Sequence, residues 1–422
     1  MRVLAVGNMY PPHHQGGYEL VWRSAMEHLR AAGHEVTVLT TDLRLDRAEP
    51  DDPGTHRELR WYWRDGGFPR IGYLERIRLE RHNHAVLRRH LTARPDVVAW
   101  WSMGGMSLSL IEHVNRRGIP AVAFVHDDWL DYGRHVDAWL APFGRLPWLG
   151  RLAERLSGVP AHVDFGGVAR WLFVSEATRA RALAQGLGLR NTGVAHSGIH
   201  PAFLDAAPAD PEWRWRLLYV GRLDERKGID TAVEALARLP EPAALTVAGD
   251  GDERELRRLR DLAARLGVAH RLRFDGHCSR PELLQRYAAA DAVVFPVRWE
   301  EPWGLVPLEA MGQRRPVVAT GRGGSAEYLR DGHNCLLFPA GDAAALAERL
   351  VRLAGDAVLR KRLVEAGRPT ALGHTEARFN AQVQEAVEAA AAQPARRATP
   401  GGSSPGGPKY SITRAGTPTA TQ

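Results

Sequence analysis

Short, uninterrupted apolar runs separated by helical patterns constrain this chain more than any other feature. The first series comprises Val3–Val6, Glu35–Thr40, Val97–Trp101, Ala121–Val125, Trp171–Val174 and Gly193–Ala195. A second follows at Leu217–Val220, Leu245–Ala248, Leu272–Phe274, Ala292–Phe295, Pro316–Ala319 and Cys335–Phe338. A strand that is apolar along its whole length is buried on both faces, as in parallel sheets covered by helices. The two series predict two doubly wound α/β domains, which suits a length of 422 residues. Pro201, Pro208 and Pro211 interrupt any regular element between them, so residues 201–213 read as a linker. Residues 1–200 then form the N-terminal domain, 214–370 the C-terminal domain, and 371–392 a C-terminal helix. Ala345–Ala354 and Thr375–Ala392 carry helical patterns.

Composition excludes several classes. No apolar run approaches the ~18 residues of a spanning helix, and mean hydropathy is −0.31. Val3–Val6 is too short for a signal-peptide core, so a cytoplasmic protein is expected. Cys278 and Cys335 cannot build a disulfide framework, and neither sits in a metal-ligand cluster. Of the net charge of +7, Arg396, Arg397, Lys409 and Arg414 in residues 393–422 supply four, leaving +3 for the rest. Residues 57–94 hold ten arginines against four acids, a local +6, so the remainder is mildly acidic. One patch and one tail do not make a nucleic-acid-binding surface, and no nucleic-acid partner is expected. Eighteen of the last 30 residues are Pro, Gly, Ser or Thr, too polar a segment to offset its ordering entropy, so disorder is expected there.

Ligands of open α/β sheets bind outside the carboxyl ends of the strands, so the chemistry belongs in the loops that follow them. After Ala292–Phe295 comes Glu301-Pro302-Trp303-Gly304-Leu305-Val306-Pro307-Leu308-Glu309. Gly304 permits close backbone approach and Pro307 suits a first helical turn. The N–H groups of Gly304, Leu305 and Val306 would form an anion site there, and Glu309 would accept hydrogen bonds from a diol such as a ribose. The plainer alternative is a capped helix with solvated glutamates. After Leu217–Val220 comes Gly221-Arg222-Leu223-Asp224-Glu225-Arg226-Lys227-Gly228. Arg222 and Lys227 suit a diphosphate, or else form a salt-bridged loop with Asp224 and Glu225. A glycine pair, Gly16-Gly17, opens the first helix without the dinucleotide-binding G-x-G-x-x-G. His126-Asp127-Asp128 ends Ala121–Val125, where a histidine serves either proton transfer or structure. Asp250-Gly251-Asp252 spells an acid-x-acid triplet but follows Gly249 at a strand end and reads as a turn.

In this order the motifs resemble those of retaining glycosyltransferases of the GT-B fold, specifically glycosyltransferase family 4, over about residues 1–390. The match weakens at residues 43–95 and 127–168. The resemblance implies two Rossmann-like domains facing a central cleft, and a sugar transferred from a nucleoside-diphosphate sugar to a hydroxyl acceptor with retention of configuration. It places Arg222, Lys227, Gly17, Gly304, Leu305 and Val306 on the donor diphosphate and Glu309 on the ribose. Glu301 and His126 would act at the transferred sugar, and Gly16, Gly249 and His277 would line the donor loops. No metal or other cofactor is implied, because fixed cations and amides stabilise the departing diphosphate. The last helix would cross back onto the first domain.

A GT-B epimerase, a phosphorylase and a non-catalytic nucleotide-sugar binder are the rival readings. The acceptor is open among a glycan, a lipid-linked precursor and a natural product. Trp61, Tyr62, Trp63, Phe68 and Tyr73 beside Arg76–Arg94 suit peripheral contact with an anionic membrane at its inner face. A solvated helix with arginine stems packed on the body fits them equally. Trp100, Trp101 and Trp129 suit either core packing or stacking on a sugar.

Overall fold

The computed structural model describes residues 1–45, 49–63, 67–144, 146–206 and 212–393. The tail beyond Gln393 and the middle of the linker lie outside them. The first sheet contains β1 (Arg2–Val6), β2 (Glu35–Thr41), β3 (Thr55–Leu59), β4 (Val97–Trp100), β5 (Ala121–Val125), β6 (Arg170–Phe173) and β7 (Thr192–Val194). All pair in parallel, in the order β3-β2-β1-β4-β5-β6-β7. The second sheet contains β8 (Arg216–Val220), β9 (Ala244–Ala248), β10 (Leu272–Gly276), β11 (Ala292–Phe295), β12 (Val317–Ala319) and β13 (Leu336–Leu337). It too is parallel, in the order β10-β9-β8-β11-β12-β13.

Helices α1 (Gly17–Ala31), α2 (Tyr73–Leu91), α3 (Ser109–Asn115), α4 (Trp129–Val136), α5 (Pro147–Ser157) and α6 (Glu176–Ala184) belong to the first half. The second half has α7 (Ile229–Leu236), α8 (Glu253–Arg265), α9 (Arg280–Ala289), α10 (Leu305–Gly312), α11 (Ala343–Gly355), α12 (Ala357–Gly373) and α13 (Glu376–Ala391). Among the described residues, no helix is long and apolar enough to cross a membrane. Each of the twelve apolar runs contains a strand. The strand outside them is β3, a sheet edge paired to β2 alone, on which His56, Arg57 and Glu58 replace the apolar pattern.

Successive residues of β1 feed opposite layers. Leu4 and Val6 join Trp100, Trp129 and Trp171, whereas Val3 and Ala5 join Trp22, Trp101 and Phe124. Trp100, Trp101 and Trp129 are wholly buried and so belong to the core. The second layer is completed from the far end of the chain, because α13 lays Phe379, Val383 and Val387 onto it. A fully buried side chain of this size contributes about 1.5–3 kcal/mol.

The chain crosses between the sheets twice, side by side. The Ile199 amide donates to His374 O (3.0 Å) and the Glu376 amide to Ile199 O (2.9 Å). Gly198 has to be glycine here, since a Cβ on it would lie 2.0 Å from the Thr375 carbonyl carbon. Trp303 stacks on His196 with centroids 4.3 Å apart and donates to Ser197 O (2.8 Å), so the crossing abuts the Glu301–Glu309 loop.

Candidate active site

In the second sheet the strand order reverses between β8 and β11, and the loops after these two strands open on the same side. One carries Arg222 and Lys227, the other Glu301. Lys227 Nζ lies 3.0 and 2.8 Å from the two Glu301 carboxylate oxygens, and the Trp299 indole donates to Glu301 Oε2 at 2.7 Å. Glu301 is only 8% exposed. A charge this withdrawn from water persists because three charge-assisted hydrogen bonds converge on it. The Trp299 ring also faces two cations, with the Arg226 guanidinium carbon 4.7 Å and Lys227 Nζ 5.3 Å from its centroid. Arg222 is exposed at the head of its loop, its carbonyl accepting the Tyr219 hydroxyl (2.9 Å).

Glycine conformations lace these loops together. Gly249 has φ +152°, and a Cβ there would lie 1.9 Å from Gly221 O. The backbones bond at Gly221 N to Ala248 O (3.0 Å) and Leu223 N to Asp250 O (2.7 Å). Gly249 thus supports the Arg222 loop from behind. The acids of the Asp250-Gly251-Asp252 turn have separate uses. Asp252 caps α8 through the Glu255 amide (2.7 Å), and Asp250 lies 3.5 Å from His277 Nδ1 at an exposed position.

Gly304, at φ +86°, turns the chain into α10, and the Tyr328 hydroxyl fastens the turn by donating to Gly304 O. The amides of the first helical turn, Leu305 and Val306 among them, have no carbonyl a turn earlier in the helix to bond. Glu309 follows, accepting the Tyr287 hydroxyl at 2.7 Å. Burial pushes its carboxyl up to about 7, an effect that the Tyr287 hydrogen bond and Arg280 oppose.

Across the cleft, α1 points its own N-terminus at α10, and a Cβ on Gly17 would lie 3.9 Å from Leu305 Cδ1. The Gly16 amide donates to Glu19 Oε2 (3.1 Å). Glu19 is buried, and desolvation pushes its carboxyl up to about 7, with its own backbone and Arg222 across the cleft acting in the other direction. Glu19 was not among the residues expected from sequence, although an acid three positions after a helix cap is a recognisable signal. Trp299 and Tyr287 were also missed, since no spacing rule ties them to their glutamates.

His126 sits at the end of β5 among aromatic rings. Centroids of Tyr18, Phe379 and Trp101 lie 5.0, 5.6 and 5.7 Å away. Neither ring nitrogen has a hydrogen bond of normal geometry, and burial lowers its pKa to about 4. Beside it Asp127 accepts from the Trp129 amide (3.0 Å), and burial pushes its carboxyl up to about 6. A cavity of about 220 Å³ opens next to this strand end, lined in part by Asp127, Asp128, Asp131, Thr178, Arg181 and Gln185. The halves meet at its rim. Thr178 Oγ1 donates to Pro302 O (3.3 Å), Arg181 Nη1 to Glu300 O (3.2 Å), and the Ala177 amide to Glu327 Oε1 (2.9 Å). Arg222, Lys227, Glu301 and the α10 N-terminus therefore share one wall with Glu309 behind them, while Gly16, Gly17 and His126 come from the other half. Gly249 and His277 stand behind the first wall.

Both halves of the chain have known counterparts. The family described as Glycosyltransferase Family 4 matches residues 15–203, and that described as Glycosyl transferases group 1 matches residues 203–370. The chain is similar to a Mycobacterium tuberculosis glycogen synthase, 29% identical over 94% of this chain and 97% of that protein. It is also similar to the lipopolysaccharide core biosynthesis glycosyltransferase LpsE of Rhizobium meliloti, 42% identical over 37% of this chain and 44% of that protein. Among solved structures, HepE of Anabaena in complex with UDP and glucose shares the fold, with a TM-score of 0.65, 20% identity and coverage of 92% of this chain and 100% of that one. With family matches on both halves and this shared architecture, the chain belongs to the GT-B glycosyltransferases of the family 4 type.

Proposed function

We propose that this glycosyltransferase takes a sugar from a nucleoside-diphosphate donor and passes it to a hydroxyl acceptor with retention of configuration, without a metal ion. The observation that carries this reading is the Lys227–Glu301 pair beside the N-terminus of α10. A cation, a carboxylate and unpaired amides meet there, next to the exposed Arg222. As the anomeric C–O bond breaks, negative charge develops on the diphosphate. Arg222, Lys227 and the amides of Gly17, Gly304, Leu305 and Val306 are placed to stabilise it. Glu309 binds the ribose. Glu301 binds the transferred sugar near its positive centre, and neutral His126 contacts the same sugar. The acceptor oxygen attacks on the face the diphosphate leaves, and its proton passes to the departing phosphate oxygen.

The cavity at the end of β5, where Asp127, Asp128, Asp131 and Arg181 interrupt a largely apolar lining, supports an acceptor site on the N-terminal half. Peripheral contact with an anionic membrane is supported by the exposed Phe68, Tyr73 and Leu74 beside the arginines of α2. The exposed Trp148, Leu152 and Leu156 of α5, which Arg81 joins to α2 through Leu156 O (3.5 Å), add to that face. Vesicles containing phosphatidylglycerol should float the protein at low salt; no flotation would exclude this contact. The central reading is tested by thermal shift with UDP, GDP, ADP and TDP, with and without Mg²⁺, followed by NMR of the product anomer. A metal-independent shift with one nucleotide is expected, lost in Arg222→Ala and Glu309→Ala. No shift with any nucleotide, or an inverted anomer, overturns it.

A further inference from the structure

Away from the cleft, the edge strand β3 and the last turn of α2 bring together three metal-ligating side chains that sugar transfer does not use. His56 and Glu58 stand two apart on β3 and so share a face of the strand. α2 is held against that strand by the His82 ring, whose Nε2 is 2.8 Å from Glu58 O, and it delivers His90 to the same point. His56 Nδ1 lies 3.4 Å from Glu58 Oε1, and His90 Nε2 lies 3.7 Å from Glu58 Oε2. One ligand atom from each residue falls within 4.8 Å of the others. Tetrahedral zinc bonds of about 2.0–2.1 Å set neighbouring ligand atoms roughly 3.3 Å apart, so small side-chain rotations close the set.

A second observation points the same way. His90 Nε2 and Glu58 Oε2 are both buried and have no hydrogen bond of normal geometry, though they face each other. Buried polar atoms left in this state call for a partner. The charge that Glu58 meets is Arg89, whose side chain is 64% exposed and free to turn into solvent.

We propose that His56, Glu58 and His90 bind a divalent transition-metal ion of the zinc type, with solvent completing the tetrahedron on the exposed His56 side. The ion displaces Arg89 from Glu58 and staples an otherwise open sheet edge to α2. Ligand binding to the folded state alone then raises stability by mass action.

The test uses the full chain, freed of any affinity tag, titrated with Zn²⁺ by calorimetry and with Co²⁺ by visible absorption. One saturating equivalent is expected, with the Co²⁺ bands of a four-coordinate site. His56→Ala and His90→Ala should each weaken binding by at least about tenfold, the cost attached even to outer partners of a metal site. Arg89→Ala should tighten it. A metal-free circular-dichroism spectrum and melting transition matching those of wild type show that each variant is folded. Failure to take up Zn²⁺ saturably, or uptake unchanged in the His56→Ala/His90→Ala double variant, overturns the site.

Discussion

The two walls of the cleft are built on different principles. On the C-terminal wall both glutamates and the helix turn are held by named partners: Lys227 and Trp299 hold Glu301, Tyr287 holds Glu309, and Tyr328 holds the turn at Gly304. On the N-terminal wall, neither His126 nitrogen has a hydrogen bond of normal geometry, and the ring lies among the aromatic side chains of Tyr18, Trp101 and Phe379 instead. A pre-paired wall suits a ligand that keeps its chemistry, such as a diphosphate. A wall with unpaired groups suits one whose hydrogen bonds arrive with it.

Breaking the Lys227–Glu301 pair should give the largest effect. Lys227→Ala removes the cation proposed to bind the diphosphate and leaves Glu301, 8% exposed, without its Lys227 counter-charge. We expect kcat/KM to fall by roughly 10²–10³ and stability by about 3–5 kcal/mol. The Lys227→Met/Glu301→Gln double variant should regain much of that stability and none of the activity. Denaturant unfolding together with initial-rate kinetics separates the two losses. Equal recovery of both would mean that the pair is merely structural.

Next in size is Phe379→Ala on α13. This side chain is wholly buried and its ring lies 5.6 Å from that of His126, so the N-terminal wall rests on a residue from the end of the chain. Truncation should cost about 3–5 kcal/mol. In the folded variant, kcat should fall while nucleotide affinity, which we assign to the opposite wall, stays within about twofold. Parallel losses in both would erase the distinction between the walls.

The third prediction concerns pH. Burial raises the Glu309 carboxyl from 4.5 to about 7, so the folded state holds its proton more tightly than the unfolded state does. Its contribution to stability is complete below about pH 4.5 and is lost as pH rises through about 7. Hydrogen bonds from two ribose hydroxyls, the role proposed for Glu309, are stronger to the ionised form, so nucleotide affinity should rise with pH over the same range. A group titrating near 7 is about tenfold less ionised at pH 6 than at pH 8, which sets the expected ratio of dissociation constants. Glu309→Gln should flatten the dependence to that of the nucleotide itself. An unchanged slope in this variant would remove Glu309 from the ribose site.

The same contrast explains what could be read from sequence. The C-terminal wall comes from two loops whose residues lie within nine positions of each other in each case, so local spacing exposed Arg222, Lys227, Glu301 and Glu309. Strand positions were equally legible, because parallel strands buried on both faces write continuous apolar runs. Edge strand β3 escaped, since its outer residues are polar. The surroundings of His126 were also beyond reach. Tyr18, Trp101 and Phe379 meet there from three separate elements, and burial by distant residues leaves no local pattern.

The smallest effect is expected at His277. Its ring is exposed and lies 3.5 Å from an equally exposed Asp250 carboxylate, a surface pair worth at most about 1 kcal/mol. The backbone bonds that place Arg222 run through Gly221, Ala248 and Asp250 and do not involve the His277 side chain. His277→Ala should therefore leave the melting temperature and the affinity for inorganic pyrophosphate nearly unchanged. Comparing UDP, GDP, ADP and TDP with this variant decides what the wall reads. Uniformly small changes would confine recognition to phosphates and ribose. A loss for one nucleotide, with pyrophosphate unaffected, would make His277 the side chain that reads the base, and the paired wall would then carry specificity as well as charge.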